Sequence, residues 1–229
     1  MRRLIRDISS VLILSGLLLV LDAAVTLIWQ EPVTAAIGVI MRGQVDQRYL
    51  SYRTAPLTGP AVQALHAIKP LGQRISYLAR RERSQVSTGD AIGQIAIPRI
   101  GNTYNIVQGT DTKSLEEGPG HYPQTALPGM GQTVAIAGHR TTYLAPFRYL
   151  NELEPGDRIL VTMPYGKFTY TVQYQRIVKP TEVSVIDDVG YDRLVLSACN
   201  PLYSAAQRII IFARLKTVQP RGPARAVQA

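Results

Sequence analysis

From Gly89 onward the chain is written as short runs of Val, Ile, Thr and Tyr, cut apart by glycine and proline. The runs are Ile92–Ile97, Tyr104–Val107, Thr133–Ala137, Arg158–Met163, Lys167–Val178, Leu194–Ala198 and Ile209–Leu215. β-branched and aromatic side chains fit a pleated, half-buried surface, and many short strands of this kind pack as a sandwich or close as a barrel. Turn signals stand between them: Pro98-Arg99-Ile100-Gly101-Asn102, Gly118-Pro119-Gly120, Pro128-Gly129-Met130-Gly131, Glu154-Pro155-Gly156-Asp157 and Pro164-Tyr165-Gly166. The last, followed by Lys167, reads as a hairpin. Only Thr112–Glu117 and Ala145–Asn151 read as helical turns. The reading is an all-β domain over residues 86–218, and about 130 residues bury a core without disulfides.

What precedes this domain is different. Ile8 to Trp29 is the longest apolar stretch and is long enough to cross a bilayer. Arg2, Arg3 and Arg6 lie before it, which predicts a cytoplasmic amino end (residues 1–7), a single-pass anchor (8–29) and an extracytoplasmic remainder. Trp29 falls where an interfacial aromatic belongs. Asp22 opposes insertion by about 2.5–3.5 kcal/mol, which the Leu-rich half outweighs. The rival is a cleaved signal peptide, for which Val33-Thr34-Ala35-Ala36 is only a loose cleavage site.

Residues 30–85 carry Pro32, Pro56, Pro60 and Pro70 and eight Lys or Arg, without strand alternation. They read as a basic, semi-ordered spacer in which Val62–Ile68 and Ile75–Arg83 are candidate short helices. Residues 219–229, with Pro220, Gly222 and Pro223, read as a disordered tail. The formal net charge of +9 is spread over these segments and forms no nucleic-acid motif. An anionic membrane or envelope accounts for it, and nucleic acid is not an expected partner.

Cys199 is the only cysteine. Outside the cytoplasm a structural cysteine pairs, and a single one cannot. It ends an apolar run, and Arg208 opens the next one. His139 follows Val134-Ala135-Ile136-Ala137 and a glycine, so a strand delivers it to a sheet end as another delivers Cys199. If those strands lie side by side, thiol and imidazole meet at one rim. A thiolate nucleophile needs such a base or cation nearby, and acyl transfer needs a donor for the oxyanion, which Arg208 can be. The plainer readings are a small buried hydrophobe for the cysteine, a structural hydrogen bonder for the histidine and a surface charge for the arginine. One cysteine and the scattered His66, His121 and His139 lack zinc-ligand spacing, and no metal or other cofactor is expected.

Three segments together resemble the sortases, most closely the class E housekeeping type of high-GC Gram-positive bacteria. They are Gly118-Pro119-Gly120-His121-Tyr122-Pro123 with Thr125-Ala126-Leu127-Pro128-Gly129, then Ala137-Gly138-His139-Arg140-Thr141-Thr142-Tyr143 with Ala145-Pro146-Phe147, then Leu196 to Arg208. The resemblance implies an eight-stranded β-barrel and a catalytic set of Cys199, His139 and Arg208. It implies cleavage of a carboxyl-terminal sorting signal, Leu-Ala-X-Thr-Gly or Leu-Pro-X-Thr-Gly, between Thr and Gly through a thioacyl-enzyme. The partners implied are secreted proteins bearing that signal and a peptidoglycan-precursor amine. Thr141, Thr142, Tyr143, Ala198 and His121 are the candidate substrate contacts, His121 being also an alternative base or a turn stabiliser.

Two residues depart from the family pattern. Ala198 stands where a threonine usually precedes the nucleophile, and Leu144 where class E members have glycine. Lys179–Asp192 corresponds to the substrate-recognition loop, and its carboxylates Glu182, Asp187, Asp188 and Asp192 match no calcium-loop spacing. The rival functions are an L,D-transpeptidase, which would place an arginine two residues after its cysteine, and an inactive barrel that binds an envelope ligand.

Overall fold

The computed structural model describes residues 2–28, 32–53 and 57–225. Trp29 and Pro56 lie outside the described residues. Helix α1 (Arg2–Ile28) contains an apolar window, Arg3–Thr26, of 24 residues with mean hydropathy 2.3, and none of that window is buried. By length and composition it can cross a membrane. Its last turn reaches the barrel side, where the Tyr203 hydroxyl donates to the Thr26 carbonyl.

Eight strands close into one barrel: β1 (Ala91–Ile97), β2 (Asn102–Gln108), β3 (Gly120–His121), β4 (Thr133–Ala137), β5 (Arg158–Met163), β6 (Gly166–Val178), β7 (Arg193–Asn200) and β8 (Gln207–Pro220). Their order around the barrel is β1-β2-β3-β4-β7-β8-β6-β5. Closure leaves no strand edge unpaired, so a sheet of short strands becomes self-sufficient. Inward residues of period two, such as Leu194, Leu196 and Ala198 on β7 and Ile159, Val161 and Met163 on β5, fill one core. Outward residues on the other side form a second, smaller cluster, where Val195, Ile210 and Phe212 meet Val178 and Val185 under the β6–β7 loop. The β5–β6 hairpin turns through Pro164-Tyr165, with Met163 opposite Gly166, as the sequence predicts.

Three expectations change. The basic stretch before the barrel is helical and packed rather than semi-ordered: α2 (Pro32–Arg53) was not expected, whereas α3 (Gly59–Ala67) and α4 (Leu71–Arg83) fall on the two candidate short helices. Val45 and Tyr49 on α2 are four residues apart, so they share one helix face and bury against Ala91 and Val107. Around them Arg42 donates to the Thr103 carbonyl at 3.0 Å, and Arg48 pairs with Glu117. The residues from Gln219 to Arg225, expected to be disordered, finish β8 and turn back so that Ala224 is fully buried. Ala145–Asn151 is not one helical turn: a 3-10 turn spans Leu150–Glu152, and Tyr143, Leu144 and Ala145 have φ of 49°, 63° and 42°. Thr112–Glu117 does form a helix, α5, capped by Asp111, whose carboxylate accepts from the Ser114 amide at 3.2 Å.

Candidate active site

The site is assembled by register. β4 and β7 run parallel with Ala137 beside Ser197, and the Gly138 amide extends the ladder to the Ser197 carbonyl at 3.0 Å. Two residues on from that matched pair are His139 and Cys199, so both strands release their functional residue at the same rim. On the other side of β7, Cys199 faces Arg208 of antiparallel β8. Cross-strand partners have Cα atoms about 4.5–5.5 Å apart. The loop between them contains a cis Asn200–Pro201 bond.

A cavity of about 400 Å³ opens over this rim, lined by Cys199, Arg140, Thr141, Thr142 and Tyr203, with Thr26 from the last turn of α1. Thr141 and Thr142 are thus where the sequence predicts pocket residues. Tyr143 is not among the lining residues, and neither are His139 and Arg208. The Tyr143 ring lies 5.5 Å from that of His139, and its hydroxyl donates to Glu116 at 2.9 Å. His139 is half-buried. Burial pushes its pKa below the usual histidine value, and the Glu116 carboxylate pulls it back up. The Arg208 guanidinium donates to the carbonyls of Ala205 and Gln207, both at 2.9 Å.

The remaining candidates are elsewhere. His121 is fully buried on β3, and burial takes its pKa to about 4. Its Nε2 lies 2.9 Å from the Ala126 carbonyl and Nδ1 2.8 Å from the Gln108 side chain. The Ala126 carbonyl only accepts, so Nε2 carries the proton, and the neutral ring pins the turn after β3 with the Gln108 amide turned so that its NH2 donates to Nδ1. Both nitrogens are occupied at a site away from the cavity, so His121 is neither base nor substrate contact here. Ala198 points into the barrel core with 3% exposure, on the opposite face of β7 from Cys199. Its missing hydroxyl therefore bears on core packing, not on a substrate contact. Leu144 takes the left-handed backbone that a glycine adopts freely, and its side chain reaches α2 at Gly38.

Three of the four carboxylates of the β6–β7 loop are engaged in holding it, and Asp187 contributes its backbone carbonyl. Asp188 accepts from the amides of Thr133 and Gly190, Asp192 from the amide of Gly129, and Glu182 pairs with Arg176. Sequence reasoning missed two members of the site. Arg140 lay inside the quoted motif, directly after His139, whereas Glu116 had no signal, because α5 meets the His139 loop only in three dimensions.

The Sortase domain family model matches residues 95–216. Sortase D of Bacillus subtilis is 36% identical over 134 residues, covering 57% of this chain and 66% of that protein. Sortase SrtE1 of Streptomyces coelicolor is 31% identical over 158 residues, or 62% and 45% of the two chains. The chain thus spans less than two thirds of either curated relative. Among solved structures, sortase E of Streptomyces avermitilis superposes with a TM-score of 0.54 at 34% identity, covering 59% of this chain and 93% of that one. Sortase E1 of Streptomyces coelicolor, with a tripeptide in its active site, gives 0.55 at 28%, covering 59% and 94%. With an eight-stranded barrel that carries a cysteine and a histidine to one rim, and with more than half its length matched by the family's own domain, this chain belongs to the sortases, a family of cysteine transpeptidases.

Proposed function

We propose that the protein is a membrane-anchored transpeptidase that cleaves a sorting signal of the Leu-Ala-X-Thr-Gly or Leu-Pro-X-Thr-Gly type between Thr and Gly. Cys199 attacks the threonyl carbonyl, Arg208 donates to the oxyanion, and His139 protonates the departing glycyl amine. The thioacyl-enzyme is then resolved by an amine of a peptidoglycan precursor, from which His139 takes the proton. The observation that carries this reading is the register: β4 and β7 in step, with Arg208 across from the cysteine. The cavity beside Cys199 has room for a short peptide, as the tripeptide in the Streptomyces coelicolor enzyme does in its own site.

The depressed pKa of His139 means that at neutral pH the imidazolium is a minority species. Cleavage needs the nucleophile and the imidazolium together, and the scarcity of the imidazolium makes turnover slow. Helix α1 supplies the anchor, with Arg2, Arg3 and Arg6 on the cytoplasmic side and the barrel outside the cell.

The test uses the full chain in detergent, because α2 packs on the barrel. Quenched peptides of both motifs are incubated with an amine acceptor, beside a Cys199→Ala control. Cleavage with transfer to the amine, and a thioacyl adduct on Cys199 by mass spectrometry, are expected. Cleavage that persists in the control, or none with either peptide, refutes the proposal.

A further inference from the structure

Arg140, immediately after His139, is only 5% exposed. Its guanidinium makes four hydrogen bonds and every acceptor is neutral. Nε donates to the Arg148 carbonyl at 3.1 Å, and one terminal nitrogen donates to the Cys199 carbonyl at 3.3 Å and to Asn200 Oδ1 at 3.0 Å. The other terminal nitrogen donates to Asn151 Oδ1 at 2.6 Å. The ion pairs among the described residues, Arg48–Glu117, Arg99–Glu154 and Arg176–Glu182, all lie elsewhere. Apart from the ionisable Cys199 itself, the charge that acts on Arg140 is another cation, Arg148. A buried charge without a counter-ion costs several kcal/mol, and folds rarely keep one.

That lone cation lines the same cavity as the nucleophile. An arginine held at the carbonyl of a cysteine, with no carboxylate to cancel it, is completed electrostatically when the thiol ionises. Burial and Arg148 both push the Arg140 pKa down, and an ionised Cys199 pushes it up. Arg208, by contrast, is tied to the carbonyls of its own turn.

We propose that Arg140 is a positioning residue for the transpeptidation: it clamps the end of β7 through Cys199 and Asn200 and is the fixed positive charge against which the Cys199 thiolate forms. This rests on the sortase reading for its role in turnover, but its effect on the thiol can be measured without any sorting peptide. The charged or titratable groups on the elements around Cys199 include His139 and Arg148 in the loop after β4, Tyr203 in the β7–β8 turn and Arg208 on β8. Each is left in place in the variants that follow.

Because Cys199 is the only cysteine, alkylation of the full chain by iodoacetamide, followed by intact mass from pH 5 to pH 10, reads one site. The decisive variant is Asn151→Asp. It is isosteric, places a carboxylate on the Arg140 guanidinium and strengthens the fold while cancelling the charge. A cation within about 4–6 Å lowers a thiol's titration by about one unit or more, and cancelling that cation returns it. Asn151→Asp is therefore expected to melt no lower than the wild type, to alkylate about tenfold more slowly at neutral pH, and to have its pH profile displaced upward by about one unit. Arg140→Lys, which keeps the charge and loses the fork, is expected to keep the wild-type profile. A wild-type profile for Asn151→Asp, or a displaced one for Arg140→Lys, overturns the proposal. Absence of peptide cleavage by the wild type with these alkylation results intact would fault the sortase reading alone.

Discussion

Replacing Gly138 by alanine tests how tightly the His139 rim is built. A Cβ added there would lie 2.5 Å from Cδ2 of Phe147, 2.8 Å from Cγ and 2.9 Å from Cε2. Carbon atoms pack best at about 3.5–4.0 Å, so the ring or the strand end must give by about 1 Å. Neither moves freely. Phe147 is 1% exposed in the main core, and its amide donates to the His139 carbonyl at 2.9 Å. Overpacking of this kind costs about 1–3 kcal/mol. Taking about 2 kcal/mol, Tm falls by about 4–8 °C for a chain of this size. Peptide cleavage falls further, since a misplacement of about 1 Å at a reacting group costs about 100-fold.

Thermal denaturation by circular dichroism and peptide cleavage are measured for Gly138→Ala, Phe147→Leu and the double variant. Leucine vacates part of the volume that the new methyl needs, so the double variant is expected to recover about 1 kcal/mol relative to the sum of the singles. A Gly138→Ala protein that melts within about 1 °C of the wild type, or strict additivity in the cycle, refutes the argument from packing.

The other predictions are briefer. His121 has a pKa of about 4 in the fold against about 6.5 unfolded, so the unfolded chain takes up its proton first. Stability should then fall as pH drops from about 6.5 to about 4, and less so in His121→Gln, by urea denaturation; equal pH slopes would discard the buried neutral histidine. Glu82 has the opposite sign. Burial raises its pKa from 4.5 to about 8, so its ionisation costs stability as pH rises through that window. Glu82→Gln should accordingly gain on the wild type between pH 5 and pH 9, and a constant Tm difference counts against it. Tyr143→Ala removes the ring beside His139 and the hydroxyl on Glu116, and kcat/KM for a sorting peptide should drop about tenfold; unchanged kinetics would leave Tyr143 without a role.

The strands were legible because each is a run of β-branched or aromatic residues closed by glycine or proline, and β4 and β5 match their predicted limits to the residue. Strand β3 was not, since two residues show no alternation; its partners on β2 and β4 define it. Helix α2 was hidden by its charge and by the prolines of the segment around it. Its buried apolar residues, Ala35, Val45 and Tyr49, are too sparse a stripe to mark a packed helix. The order beyond Val218 was hidden likewise, because pairing of β8 with β6, not composition, keeps Gln219 and Pro220 in place.

At the site the division is equally physical. Residue chemistry and motif order single out Cys199, His139 and Arg208 from the sequence alone, because nucleophile, base and oxyanion donor each need a particular functional group. Local patterns likewise determined the all-β class and the apolar amino-terminal helix, while the choice of barrel over sandwich came from the resemblance. Tertiary structure decided everything that depends on which face a side chain takes and on contacts across long stretches of chain. It turned Ala198 into the core and buried His121 beyond use. It set Glu116 behind the Tyr143 hydroxyl and left Arg140 on the Cys199 carbonyl with no carboxylate to answer it. Parity along a strand and pairing between strands about sixty residues apart are properties of the closed barrel, and no short window of sequence contains them.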